Sequence, residues 1–144
     1  MPEGQTQIKI DKTNLLKAGK VPVIAAAIGG ALWLLGSLGG LLGILFWALA
    51  AFAGYWYVDQ VLRSGAKPPL LDVIVNGAVL GAVVGLVYAV VTWIAISVRF
   101  SGIVGLAYRW GFGSIIRIML ESGIVGAVGA AGWFAYKTGL IKTK

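Results

Sequence analysis

The sequence predicts an all-α, transmembrane-like fold of about four hydrophobic helices and one amphipathic basic helix. Two long runs contain no Asp, Glu, Lys or Arg: residues 21–58 and residues 73–98. Hydrophobic residues make up 59% of the chain and charged residues 12%, whereas soluble globular chains average about 45–50% and about 25%. Because a soluble fold needs a more polar exterior, we expect the surface to meet lipid or other copies of the chain.

The first uncharged run is too long for one membrane-crossing helix. A single helix of 38 residues would extend about 57 Å, and the hydrocarbon core of a bilayer is about 30 Å thick. Glycines at its centre permit a tight reversal, so we expect a helical hairpin with a turn at Gly36–Gly40. The hairpin helices are predicted at about 22–35 and 41–62, with Pro22 in the first helical turn, where its missing N–H costs nothing.

A polar basic segment, residues 1–20, precedes a single hydrophobic helical domain at 21–144. Thr13 or Asn14 is expected to cap a short helix that begins at Leu15.

Near the end of the second hairpin helix, Asp59 and Arg63 are four residues apart and can pair on one helix face.

Pro68 and Pro69 mark the clearest break in the chain, since prolines cannot continue a helix. A long third helix is expected at about 70–98, and its 26-residue uncharged run can cross a bilayer with some tilt. Asn76 is the one amide in this run. Near a helix start such an asparagine is either a boundary residue or a hydrogen-bonding group between helices.

Three arginines punctuate the apolar stretch that follows. Arg99, Arg109 and Arg117 fall within about 80° of one another on a helix, which predicts an amphipathic basic helix at 99–120. Such a stripe fits either an interfacial helix on lipid or contact with nucleic-acid phosphates. A short fourth hydrophobic helix is predicted at about 122–137.

Glycine is abundant, with 22 residues. Spacings of four, as in Gly77, Gly81 and Gly85, allow helix backbones to approach closely, either within one bundle or between subunits. The expected helix-packing positions are Gly36, Gly40, Gly77, Gly81, Gly85, Gly126 and Gly129.

The net charge is +7, which fits the positive-inside bias of a membrane protein or an anionic partner. Most of the lysines lie near the two chain ends, which face the same side if four segments cross a layer. The expected contacts to an anionic surface or nucleic acid are Arg99, Arg109, Arg117, Lys9, Lys12, Lys17, Lys20, Lys137, Lys142 and Lys144.

Side chains that carry catalysis are scarce. The chain has no cysteine and no histidine, which removes thiol nucleophiles, thiolate metal sites and the commonest general base. No phosphate-binding glycine motif or nucleophile elbow occurs. We therefore expect no enzyme activity, no cofactor, no metal and no small-molecule substrate.

A small, glycine-rich, basic and very hydrophobic helical chain resembles the coat proteins of tailed spindle-shaped archaeal viruses. The resemblance is one of general character along the whole chain and rests on no motif. It implies a virion protein whose hydrophobic helical subunits form a shell or helical array around DNA, with itself and DNA phosphates as partners. The alternative is a small polytopic membrane protein, a complex subunit or simple channel, whose two termini are cytoplasmic.

Overall fold

The fold is an all-helical bundle with up-down-up-down connections, which confirms the predicted fold class. The computed structural model describes residues 8–35, 39–99 and 104–139. Its helices are α1 (Lys12–Ala31), α2 (Gly39–Arg63), α3 (Leu70–Arg99) and α4 (Val104–Lys137), and a short 3-10 turn (Leu32–Leu35) follows α1. Helices α2 and α3 each pack on all three other helices, and the closest pairing is between α3 and α4.

Helix α1 begins about ten residues before the predicted first hydrophobic helix. Asp11 is the N-cap, and its carboxylate accepts a hydrogen bond from the Asn14 N–H at 3.2 Å, so the expectation of a cap at Thr13 or Asn14 was wrong. Capping requires an acceptor two or three residues before the free N–H, and Asp11 meets this requirement. The short helix expected from Leu15 is therefore part of α1, which begins at Lys12 and continues into the first hydrophobic helix.

Pro22 lies inside α1 rather than in its first turn. An interior proline removes one helical hydrogen bond. The helix nevertheless continues on both sides, because Leu15 and Ala18 before Pro22 and Ala26 after it are all buried in the core. Tertiary packing here outweighs a local preference.

The predicted turn at Gly36–Gly40 coincides with the boundary between the hairpin helices. The 3-10 turn ends at Leu35 and α2 begins at Gly39, while residues 36–38 lie outside the described part of the chain. The α1 and α2 helices pack on each other, as a hairpin requires.

The connection from α2 to α3 follows the sequence. Gly65 has a φ of +81°, the left-handed conformation with which glycine commonly ends a helix. Pro68 and Pro69 follow, and α3 then begins at Leu70.

The two predicted helices at 99–120 and 122–137 do not exist as separate elements. Arg99 is the last residue of α3, and one helix, α4, runs from Val104 to Lys137. Ser101 and Gly102 are poor helix formers, which favours a helix boundary near Arg99. Ser122 does not interrupt α4, because its hydroxyl donates to the Ile118 carbonyl at 2.6 Å and is satisfied within the helix.

Candidate assembly and anion-contact surfaces

At the α3–α4 contact, the glycines of α3 meet the backbone and the small side chains of α4. A Cβ added at Gly81 would overlap the Ser122 carbonyl oxygen, and one at Gly77 would lie 2.9 Å from the Gly126 carbonyl oxygen. At Gly85 an added Cβ would lie 2.8 Å from the Ser122 Cβ. The three glycines spaced by four therefore lie at a contact within one subunit.

Two of the other predicted packing glycines, Gly126 and Gly129, also lie at helix contacts. Gly126 faces Gly81, where an added Cβ would lie 2.8 Å from the Gly81 Cα. Gly129 faces Ala51 of α2, at 3.1 Å from the Ala51 Cα. Gly40 lies in the first turn of α2, and Gly36 lies outside the described residues.

Asn76 joins the segment before α1 to α3. Its side chain is fully buried; its Oδ1 accepts from the Asp11 N–H at 2.9 Å, and its Nδ2 donates to the Lys9 carbonyl at 2.9 Å. The same Nδ2 donates to the Asp72 carbonyl at 2.7 Å. Because a buried amide must be hydrogen-bonded, this residue fixes where the N-terminal segment meets the bundle.

One end of the bundle collects basic residues from four chain segments. We call this surface the basic end; it comprises Lys9, Lys12, Arg63, Lys67 and Lys137. Arg63 pairs with Asp59 at 2.8 Å, and the Lys137 ammonium lies 5.1 Å from the centre of the Trp133 ring. Lys9 and Lys67 line a cavity of about 390 Å³ that also contains Asp11 and Asp72, so the acids offset the positive charge inside it. The exposed lysines outside this cavity are the better candidates for anion contact.

The predicted arginine stripe is not continuous. Arg99 belongs to α3, whereas Arg109 and Arg117 belong to α4, so the prediction of one helix carrying all three was wrong. The side chain of Arg117 is 79% exposed, and its Nε donates to Glu121 Oε1 at 2.7 Å. The side chains of Arg99 and Arg109, and residues Lys142 and Lys144, lie outside the described part of the structure.

Charged side chains occur level with the middle of the uncharged run of α3. Gly85 stands at the centre of that run, and Ser122 packs against it, so Glu121 lies at the same level. Arg117 lies four residues away along α4, or about 6 Å. On the other side of α3, Gly19 contacts the Leu80 side chain, which places Lys20 level with Gly81.

These charges share the outer surface with large apolar side chains. Lys17, Lys20 and Arg117 are exposed. The exposed apolar side chains near them on α1 and α4 are Leu16, Val21, Ile24, Ile28, Ile116, Leu120, Ile124 and Val128. Neither a uniformly polar nor a uniformly apolar solvent suits this surface.

No protein-family model, curated protein or solved structure matches the chain. Two helical segments, Leu70–Val98 and Gly113–Lys137, are long and apolar enough to cross a membrane.

Sequence reasoning missed several residues that the fold brings together. Gly54 of α2 meets α4, where an added Cβ would lie 2.7 Å from the Ala130 backbone nitrogen. The small pair Ala50 and Gly54, four residues apart, carried the signal for this contact. The pairing of Arg117 with Glu121 was also readable from their spacing of four.

Proposed function

We propose that this protein is a non-catalytic structural subunit that assembles with copies of itself into a shell or helical array. The observation that carries the proposal is the position of three charged side chains along the helix axes. Glu121, Arg117 and Lys20 lie near the level of the middle of the uncharged run of α3, on a surface that is otherwise largely apolar.

A lipid bilayer is a poor match for this surface. Half of a hydrocarbon core measures about 15 Å, and these charges lie within about 6 Å of the level of Gly85 along the helix axes. Charged side chains within a membrane usually face the interior of a bundle or a water-filled cavity, but Arg117 and Lys20 are on the outside. If the hydrocarbon layer is shifted along the bundle toward either end, Arg117 or Lys20 still lies inside it.

Neighbouring subunits suit the surface better than water does. Large exposed apolar side chains continue along α1 and α4, and extended apolar surfaces mark sites of association. A protein neighbour can bury these apolar side chains and at the same time present polar partners to the charged ones, which neither water nor lipid alone provides.

We propose further that the array is a viral coat around DNA, with the basic end facing the phosphates. Exposed lysines such as Lys12 and Lys137 carry no acidic partner among the described residues. Lysine–phosphate contacts provide binding that is independent of sequence and falls with salt. Arg117 is less suited to this role, because Glu121 already offsets its charge.

Electron microscopy of purified protein, with and without double-stranded DNA, tests the proposal. We expect regular shells or filaments, and DNA within them that resists nuclease. Discrete detergent-bound particles that never associate would overturn the self-assembly proposal. Regular assemblies that leave DNA fully open to nuclease would overturn only the coat around DNA.

A small polytopic membrane protein is the second candidate. It is favoured by the two segments that meet the length and apolarity needed to cross a membrane. It predicts stable insertion into phospholipid vesicles, with both termini protected on the same side. Extraction of the protein from vesicles by alkaline carbonate would count against it.

A further inference from the structure

One face of α4 combines an ion pair with aliphatic side chains. We call it the α4 outer face; it comprises Arg117, Leu120, Glu121, Ile124 and Val128. At 100° per residue these positions fall within about 100° of arc. Leu120, Ile124 and Val128 are 59%, 66% and 67% exposed. No described helix covers this face.

The ion pair on this face is only partly satisfied. Arg117 reaches Glu121 through its Nε–H, while a guanidinium has five N–H donors and a carboxylate accepts several hydrogen bonds. The exposed fractions of the two side chains, 79% and 37%, leave both open to a further partner. That partner must also bury three aliphatic side chains.

We propose that the occupant of this face is the same face of a second copy, with the two α4 helices side by side and running in the same direction. A two-fold contact is self-complementary: Arg117 of each copy reaches the Glu121 carboxylate of the other, about one turn along. In the parallel orientation Leu120, Ile124 and Val128 each meet their own counterparts. An antiparallel orientation that kept both Arg117–Glu121 pairs would instead set Ile124 opposite Ser114.

This inference rests on the proposed self-assembly and identifies one contact within it. The two-fold symmetry keeps the two helices in register, so that both copies exchange the same Arg117–Glu121 pair. The aliphatic side chains supply the buried apolar area.

Charge exchange between two variants tests the contact. Arg117→Glu gives a face with two carboxylates, and Glu121→Arg gives a face with two guanidinium groups. Each variant alone brings like charges together, and we expect its self-association to weaken roughly tenfold or more. An equimolar mixture should recover association as a mixed complex, measured by analytical ultracentrifugation after detergent removal.

The mixture distinguishes contact between chains from an effect within one chain. Both variants lose the pair within their own helix, so recovery on mixing can come only from a contact between copies. Arg63→Glu and Asp59→Arg are matched controls for association measured without DNA, because that pair has the same spacing and a similarly exposed arginine; each should then associate like the wild type. If the single α4 variants also associate like the wild type, or if mixing restores nothing, the inference is overturned while self-assembly stands. A wild type that never associates would overturn the proposed function itself.

Cross-linking provides a second, independent readout of orientation. The chain contains no cysteine, so Val128→Cys introduces a single thiol on the α4 outer face. We expect it to form a disulfide-linked dimer on oxidation, faster than Val98→Cys, a similarly exposed position on α3 (64%). Equal rates for the two variants would refute the parallel arrangement.

Discussion

Substitution of Gly81 by alanine tests whether the α3–α4 contact depends on the absence of a side chain. The added Cβ would overlap the Ser122 carbonyl oxygen and lie 3.0 Å from the Gly126 Cα, whereas carbons in favourable contact are about 3.5–4.0 Å apart. The helices must therefore separate by roughly 0.5–1 Å, which removes a quarter to a half of the attraction across the gap.

The free-energy cost of overpacking at Gly81 is expected to exceed what alanine gains over glycine within a helix. Overpacking of this kind costs about 1–3 kcal/mol, and alanine is better than glycine within a helix by roughly 0.5–1 kcal/mol. We therefore expect Gly81→Ala to lower the free energy of unfolding by up to about 2.5 kcal/mol, and Gly81→Leu to lower it further and to disrupt assembly.

The measurement is denaturant unfolding monitored by circular dichroism. It is made in mild detergent, so that contacts between copies do not contribute. Gly132→Ala is the matched control, because a Cβ at Gly132 meets nothing within 4 Å. That variant should gain roughly 0.5–1 kcal/mol of stability. If Gly81→Ala is as stable as Gly132→Ala, the close-approach argument is wrong.

Three further predictions address the hairpin, the buried amide and the basic end. Spin labels at Ile28 and Leu45, which line the same cavity between α1 and α2, should be much closer together than the roughly 25 Å that one continuous helix would impose; a measured distance near 25 Å would exclude the hairpin. Asn76→Ala should cost about 1–3 kcal/mol by leaving the Asp11 N–H and the Lys9 carbonyl without partners, and should speed amide exchange at Asp11, whereas Thr13→Ala, at an exposed position, should not. Replacing Lys12 and Lys137 by glutamine should reduce DNA content and flatten the salt dependence of DNA retention by about 0.9 for each phosphate that the protein no longer neutralises. The corresponding change at Arg99, Arg109 and Arg117 should have the smaller effect, and a larger effect there would place the DNA away from the basic end.

The fold class was predictable because it depends on composition and long uncharged runs, which few architectures accommodate. The boundaries that failed depend on single local signals that tertiary packing overrode. Pro22 is a strong helix-start signal in isolation, yet buried residues on both sides of it keep α1 continuous. Ser122 alone predicts a helix boundary, yet its hydroxyl donates to the Ile118 carbonyl in the preceding turn and the helix continues.

The candidate surfaces were only partly predictable for a different reason. The spacing of Gly77, Gly81 and Gly85 indicates close packing, but nothing in it identifies α4 as the partner. Likewise, Glu121 lies outside both uncharged runs of the sequence, and only the antiparallel pairing of α3 with α4 brings it level with the middle of one. Which residues of two packed helices stand opposite each other depends on contacts that a single sequence does not display.

The hydrogen bonds of Asn76 have a consequence for whatever binds the lysines at the N-terminal end. They hold the backbone at Lys9 and Asp11 against α3, so this part of the segment is already ordered before any ligand arrives. A flexible basic tail would lose conformational freedom on binding and so bind more weakly for the same contacts. Because Asp11 is held in this way, the backbone of Lys12, the next residue, also lies at a fixed distance from α3, so the spacing of bound anionic groups is set by the bundle rather than by the ligand.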